Sequence, residues 1–172
     1  KKNNIDSAQL LLTLDDSEIR RRYLNVRKTI SSLHSKKIIP IINENDTVAT
    51  EEIRYGDNDR LAARVSQMID ADLLIMLSDV DGLYSKIPIK NKKGELVNKV
   101  SEINSSIDKI AGNKSSNLGS GGMKTKIWAA KICMNSGCSM VISNGHKLNP
   151  LSSINKSNCT WFYSKKTPTS SR

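Results

Sequence analysis

Three polar clusters in this sequence combine residue types that bind charged ligands. The first, NENDTVATEEIRYGDND, covers residues 43–59 and holds six acids against one base, Arg54. The second, SDVDG, covers residues 78–82, and the third, GSGGMKTK, covers residues 119–126. Densely packed carboxylates and amides can hold an ammonium group and hydrogen-bond a carboxylate, whereas glycines and lysines suit a polyanion. The first and third clusters therefore point to ligand groups of opposite charge.

The third cluster has the composition of a phosphate-binding loop at the start of a helix. Glycines allow the backbone to approach a phosphate, free N–H groups at a helix start bind anions, and Lys124 or Lys126 can neutralise charge. It is not a Walker A loop, because the spacing from Gly119 reaches Lys124 instead of a glycine before Lys–Ser/Thr. It is not G-x-G-x-x-G either, since Lys124 replaces the last glycine. The alternative is a set of glycines that ends a flexible loop.

The other two clusters also have structural explanations. Ser78 and Asp79 directly follow the apolar run 73–77, where a hydroxyl and a carboxylate could meet a nucleotide or its magnesium. A helix cap or a tight turn at Gly82 explains the same residues equally well. For residues 43–59, ordinary turn chemistry of Asn, Asp and Gly is the alternative.

The elements that must position these clusters alternate between strand and helix. This order predicts an α/β fold with an open, mainly parallel sheet, helices on both faces, and the three clusters at one end. Apolar patterning predicts strands at 8–13, 38–42, 73–77, 140–143 and 159–163 and helices at 17–35, 58–69 and 122–137.

The sequence also predicts the burial of two strands, the caps of two helices and the character of two connecting segments. The continuous apolar runs 38–42 and 73–77 predict strands buried on both faces, although Pro40 favours an edge or bulge position. Residues 15–17 (Asp–Asp–Ser) are predicted to cap the first helix, and Asp57 or Asn58 the second. Residues 86–99 are expected to form an exposed hairpin or excursion, and residues 105–119 a mobile loop.

Composition narrows the class of protein. The formal net charge of +10 is compatible with a nucleic-acid-binding module, but the seven aromatics are not interleaved with the lysines, so no nucleic-acid partner is predicted. No apolar run is long enough to span a membrane, and the first ten residues lack a signal-peptide core. Three cysteines without a CxxC pair indicate free thiols and no metal site, and His34 and His146 are expected at the surface. We predict a cytoplasmic protein without a membrane partner.

Four stretches of the sequence resemble the amino acid kinase superfamily. They are IIPIINENDTVATEEIRYGDNDRLAA, ADLLIMLSDVDGLYS, GSGGMKTKIWAAKI and VISNG. The NEND…GDND block is similar to the members that phosphorylate glutamate. The resemblance implies transfer of a phosphoryl group from ATP, with Mg²⁺, to the side-chain carboxylate of L-glutamate, the first step of proline biosynthesis. A related kinase with another acceptor and a non-catalytic remnant are the alternatives.

The resemblance also implies a role for individual residues. Lys126 would stabilise the transferred phosphoryl group, and Asp59 would orient the charged groups around it. Glutamate would be bound by Asp46, Asn58 and Asn43. The nucleotide would be bound by Ser78, Asp79, Ser120, Gly121, Gly122, Met123, Lys124, Thr125 and Lys126. No residue is implied as a metal ligand.

The same resemblance predicts the domain organisation. Residues 1–172 would form one amino acid kinase domain, and a homo-oligomer is compatible with the family. The family's N-terminal phosphate-binding Lys, Gly-rich loop and glutamate-contacting Ser have no counterpart in this sequence, nor does the C-terminal PUA domain of many bacterial members. We therefore expect an upstream segment to be missing, and this polypeptide alone could be inactive.

Overall fold

A computed structural model describes residues 4–49, 57–85, 94–112, 122–154 and 158–165. Strands and helices alternate along most of the chain, as the sequence predicts. The strands are β1 (Ser7–Leu12), β2 (Ile39–Glu44), β3 (Leu73–Ser78), β4 (Lys99–Val100), β5 (Ser139–Asn144) and β6 (Cys159–Phe162). The helices are α1 (Asp15–Glu18), α2 (Arg20–Ser35), α3 (Asn58–Met68), α4 (Ser105–Gly112) and α5 (Met123–Ser136), with a 3-10 turn at Pro150–Ser153.

The described strands form two sheets. β1 and β2 pair in parallel, with Ser7 opposite Ile39. The second sheet has the order β3-β5-β6-β4, in which β3–β5 and β4–β6 are parallel and β5–β6 is antiparallel. The predicted α/β class with mainly parallel strands is confirmed, and the last strand joins the sheet in the opposite direction to β5.

The first predicted helix is divided in two. Ile19 has an extended backbone (φ −81°, ψ 112°) and separates α1 from α2. The expected cap is wrong, because residues 15–17 lie inside α1 and neither helix has a side-chain cap. Asp16 instead accepts hydrogen bonds from the backbone N–H and the hydroxyl of Thr13, at 2.7 and 2.9 Å. The carboxylate is thus used to tie β1 to α1.

Helix α3 packs against both sheets. Asp57 caps it as predicted, by accepting a 2.8 Å hydrogen bond from the N–H of Arg60. Leu61 joins a small core with Leu12, and Ala63 joins the main core, which lies between α5 and the four-stranded sheet. Since Asn58 and Asp59, the last two residues of the first cluster, are the first two residues of α3, this packing fixes where that cluster ends.

Strands β2 and β3 are less buried than their composition predicts. On β2, Ile39 and Ile41 are 52% and 55% exposed, and on β3 Leu73, Ile75 and Leu77 are also exposed. Helices pack on the other face of these strands, so every second side chain points to solvent. The prediction of burial on both faces is therefore wrong for β2 and β3, whereas the four central residues of β5 (140–143) are fully buried. Pro40 lies in β2, for which β1 is the paired neighbour within the described strands.

The segment after β4 also differs from the prediction. Residues 105–112 form a helix, α4, in place of the expected mobile loop, and residues 113–121 lie outside the described part of the chain. The side chain of Asn104 accepts hydrogen bonds from the N–H groups of Ser106 and Ile107, which starts the helix. Ile107, Ile110 and Ala111 pack against the main core. These residues are three and one positions apart, so they lie on one face of the helix and form a short apolar stripe.

The remaining elements follow the predictions more closely. Of the expected excursion at 86–99, residues 86–93 lie outside the described residues, and its flanks pair in antiparallel through Tyr84 and Leu96. Helix α5 begins after Gly122 and ends at Gly137, whose φ of 92° is the left-handed conformation that favours glycine. Among the described helices, none has the length and the apolar character that crossing a bilayer requires.

Candidate active site

The carboxyl ends of β3 and β5 lie side by side, because these parallel strands pair with Ser78 opposite Asn144. Helix α5 leads into β5 and helix α3 leads into β3, so the N-terminus of each helix lies at this same end. The second predicted cluster, the described part of the third (122–126) and the end of the first (57–59) are thereby collected at one edge of the fold. This placement follows the general rule for ligand sites in open α/β sheets.

The centre of the site is an ion pair between Lys126 on α5 and Asp59 on α3. The Lys126 Nζ lies 2.9 Å from the Asp59 Oδ2, and the two side chains are only 8% and 15% exposed. The Thr125 hydroxyl lies 2.9 Å from the same carboxylate oxygen. Burying a lone ammonium group would be costly, so Asp59 makes the buried position of Lys126 tolerable.

The packing of α3 against α5 brings this pair together. The guanidinium groups of Arg60 and Arg64 lie over the ring of Trp128, at 5.1 and 5.6 Å from its centroid. These contacts place the first turns of both helices side by side. Lys124, two residues before Lys126, points away from the pair and is exposed, because two residues correspond to about 200° around a helix.

The N-terminus of α5 is available to an anion. Gly122 precedes the helix with an extended backbone, no side chain caps it, and its first turn contains no acidic residue. The Gly122 carbonyl accepts the Thr125 hydroxyl at 2.7 Å, which orders the first turn from within. Free N–H groups and the positive end of the helix dipole make such a terminus attractive to phosphate. Lys126 contributes a full positive charge within the same turn.

The turn after β3 adds a carboxylate to this edge. The Ser78 hydroxyl donates a 2.9 Å hydrogen bond to Asp79, and this bond is the main reason why the pKa of Asp79 lies below its ordinary value. Partial burial opposes the shift, and the positive charges of Lys126 and His146 reinforce it. Asp79 is therefore an ionised, exposed carboxylate in the field of Lys126.

The other predicted site residues occupy the edges of this region. Asn43 is exposed on β2, Asp46 lies in the turn after that strand, and Asn58 is the exposed first residue of α3. Their roles stay predictions. Ser120 and Gly121 lie outside the described residues, while Gly122 and Met123 stand at the start of α5.

One ion pair next to the site was not predicted, although its aspartate belongs to the second predicted cluster. Asp81 pairs with Lys147 at 2.7 Å and accepts a 3.2 Å hydrogen bond from the hydroxyl of Tyr84. Lys147 is the main cause of the lowered pKa of Asp81, and burial opposes the shift. His146, expected at the surface, is indeed exposed, and its charge also acts on Asp79. The sequence did contain a signal for this pair, the Asn144–Gly145 turn after β5. If β3 and β5 are parallel neighbours, that turn has to lie beside the turn after β3.

Comparison with known proteins agrees with this fold. The family model described as "Amino acid kinase family" matches residues 1–144. Proteins named "Glutamate 5-kinase" from Paramagnetospirillum magneticum and Bradyrhizobium diazoefficiens are 51% and 53% identical over 171 residues. The match covers 99% of this chain and 46% of each of those proteins. The chain thus spans just under half the length of these curated relatives.

Solved structures with low sequence identity share the fold. UMP kinase from Ureaplasma parvum superposes with a TM-score of 0.60 at 15% identity, over 94% of this chain and 62% of that one. Carbamate kinase from Giardia lamblia, bound to AMP-PNP, gives a TM-score of 0.54 at 18% identity, over 80% of this chain and 44% of that one. The fold of the described residues and the match of the family model over residues 1–144 lead to one conclusion: this chain belongs to the amino acid kinase family.

Proposed function

We propose that the protein containing this chain transfers the γ-phosphoryl group of ATP to the side-chain carboxylate of L-glutamate. The product would be glutamyl 5-phosphate, and the reaction would be the first step of proline biosynthesis. The observation that carries the proposal is the buried Lys126–Asp59 pair at the uncapped N-terminus of α5. The choice of glutamate is supported by the relatives named "Glutamate 5-kinase", 51–53% identical to nearly all of this chain.

The chemistry suits a site without a strong general base. Glutamate's side-chain carboxylate is ionised at neutral pH and needs no deprotonation. One of its oxygens forms a bond to the γ-phosphorus while the bond from that phosphorus to the β–γ bridging oxygen breaks, and the bonding electrons leave with ADP. The main difficulty is the repulsion between two anions, and positioning together with charge neutralisation overcomes it.

Each residue at this edge has a part in the proposal. Lys126 neutralises charge on the transferred phosphoryl group, and Asp59 holds the Lys126 ammonium in place. The first turn of α5 (Gly122 to Thr125), preceded by Ser120 and Gly121, and the pair Ser78–Asp79 bind the nucleotide. Asp46, Asn58 and Asn43 bind glutamate.

Mg²⁺ enters the proposal with ATP and would neutralise phosphate charge when bound. Within the described residues, no group of three or more His, Cys, Asp or Glu side chains is arranged to hold a metal. An Mg²⁺ ion that enters with a nucleotide is held largely by phosphate oxygens and water, with one or two protein carboxylates. In this proposal Asp79, an ionised and exposed carboxylate, would supplement those oxygens.

The acceptor is tested by trapping the acyl phosphate with hydroxylamine. We expect the full-length protein to form a hydroxamate from glutamate, ATP and Mg²⁺, and not from aspartate or N-acetylglutamate. Equal activity with aspartate would overturn the choice of acceptor, since the kinases of this fold differ in what they phosphorylate. Absence of hydroxamate with every acceptor would favour a non-catalytic protein.

The glutamate side of the site is tested by the substitution Asp46→Ala. We expect the KM for glutamate to rise roughly tenfold, the order of effect of losing one charged hydrogen bond, with kcat and the KM for ATP little changed. Steady-state kinetics with each substrate varied separately measures this. Asp108→Ala is the matched control, because Asp108 is an exposed acid on α4 that pairs with Lys131. A rise in the ATP KM alone would contradict the assignment of Asp46.

A further inference from the structure

The turns after β3 and after β5 are fastened to each other by an ion pair and several hydrogen bonds. Lys147 lies 2.7 Å from Asp81, and the two side chains are each 33% exposed. The Lys147 ammonium is shielded from solvent, and Asp81 is its partner within the described residues. Because a shielded ammonium is costly without a counter-charge, this pair holds its geometry. We refer to the pair and its neutral donors, Tyr84 and Asn144, as the Asp81 clasp.

The clasp has contacts on both turns. The Asp81 carboxylate accepts hydrogen bonds from the Tyr84 hydroxyl and from the side chain of Asn144, the last residue of β5. Asn144 also accepts a 2.9 Å hydrogen bond from the backbone N–H of His146. A single carboxylate therefore fixes residues on both turns.

Backbone contacts tighten the same junction. The N–H of Gly145 donates a 2.7 Å hydrogen bond to the carbonyl of Ser78. The Thr160 hydroxyl on β6 accepts a 2.8 Å hydrogen bond from the N–H of Leu83. A Cβ added to Gly82 would lie 2.2 Å from that hydroxyl oxygen, so the turn sits directly on β6 with no room between them. Ser78 and Asp79 thus start a turn that is held at three separate places.

We propose that Lys147 and Asp81 are positioning residues for the nucleotide, acting through the turn that presents Ser78 and Asp79. This inference rests on the proposed function. Asp81 lies two residues after Asp79 in the same turn, so the clasp can act on Ser78 and Asp79 through that turn without touching the nucleotide. Loosening the clasp lets Ser78 and Asp79 move relative to Lys126 and weakens nucleotide binding. The glutamate-binding residues on β2 and α3 do not share these contacts and keep their geometry.

The test compares nucleotide binding and kinetics in the full-length protein. We expect Lys147→Met to weaken binding of AMP-PNP, measured by calorimetry, roughly tenfold, as when one partner of a shielded ion pair is removed. The KM for ATP rises by a similar factor, while the KM for glutamate changes less than about twofold. Lys147→Arg keeps the charge and restores most of the binding. If Lys147 only stabilised the fold, Lys147→Met would lower the melting temperature without raising the KM for ATP more than the KM for glutamate.

Two further variants make the result decisive. Asp81→Asn removes the charge but keeps the size of the side chain, and it gives the same split should Lys147→Met fail to fold. Lys131→Met is the matched control, because the Lys131–Asp108 pair has the same 2.7 Å separation and joins α5 to α4 away from the site. We expect it to bind AMP-PNP like the wild type.

The outcomes separate the two proposals. AMP-PNP affinities equal to wild type in both clasp variants, or equal rises in both KM values, would overturn the positioning role. Failure of the wild type to bind AMP-PNP would overturn it as well. Nucleotide binding that depends on the clasp, in a wild type that forms no hydroxamate from glutamate, would support the positioning role and contradict only the proposed acceptor reaction.

Discussion

Two lysine–aspartate pairs stand at the same end of this molecule and differ in burial. Lys126 and Asp59, between α5 and α3, are 8% and 15% exposed, whereas Lys147 and Asp81, between two turns, are each 33% exposed. A charge acts more strongly on its surroundings where water is excluded. The comparison therefore assigns different tasks to the same pair of residue types. Lys126 lies in the first turn of α5 and supplies electrostatic stabilisation, whereas Lys147, whose ammonium is also shielded although its side chain is more exposed, lies in the turn after β5 and maintains geometry.

The largest difference is expected for the substitution of the buried lysine. Lys126→Ala removes a positive charge that matters most while the phosphoryl group is in transfer, so kcat should fall by roughly 10²-fold or more. Steady-state kinetics of the full-length protein measures this, with Lys131→Ala as the control. If Lys126→Ala changed only the KM for glutamate, the assignment of Lys126 to the phosphoryl group would be contradicted. If Lys147→Met lowered kcat as much as Lys126→Ala does, the two lysine–aspartate pairs would not have different tasks.

A smaller effect is expected for the partner of Lys126. Asp59→Asn keeps the shape of the side chain but removes the carboxylate charge that pairs with the buried Lys126 ammonium, so kcat should fall roughly tenfold and the protein should lose about 3 kcal/mol of stability. Kinetics and urea unfolding measure the two effects. Asp108→Asn, at an exposed pair, should change neither by much. Unchanged stability of Asp59→Asn would show that Lys126 does not depend on this carboxylate.

The smallest effect concerns pH and the clasp. The pKa of Asp81 is lowered from 3.8, chiefly by Lys147, so its contribution to stability is complete above that value and is lost as pH falls through the lowered pKa. We expect Asp81→Asn to melt about 2–4 °C below the wild type at neutral pH, as for a loss of about 1 kcal/mol in a chain of this size. Melting curves should show a constant difference above about pH 5 that narrows below pH 3.8. A difference that widens on acidification would contradict this sign.

The sequence predicted the elements whose signals are local. Asp57 caps α3, and Gly122 and Gly137 bound α5, because caps and helix ends depend on a few neighbouring residues. The stripe that Ile107, Ile110 and Ala111 form in α4 was too short to stand out in a polar segment. The resemblance pointed to Lys126 and Asp59 at one site, and the structure brings them together.

Other features depend on contacts that are distant in the chain. The alternating exposure of β2 and β3 is set by which faces the helices cover, and a continuous apolar run cannot show it. The antiparallel direction of β6 follows from its pairing with both β5 and β4. Asp81 belongs to the SDVDG cluster but Lys147 lies in no predicted cluster, and their contact requires knowing that β3 and β5 are neighbours.

The close approach of Gly82 to Thr160 limits how this protein can vary. Besides the hydroxyl oxygen at 2.2 Å, a Cβ at position 82 would meet the Thr160 backbone nitrogen at 2.9 Å, which no exchange of the threonine side chain removes. Shortening Thr160 to make room would also take away the acceptor of the Leu83 N–H. Every residue with a Cβ at position 82 would therefore require the β6 backbone to shift, whereas serine at position 160 keeps the hydroxyl that Leu83 needs. In a saturation mutagenesis library, position 82 should therefore accept glycine alone, and position 160 should accept only residues that keep a hydroxyl group in the same place.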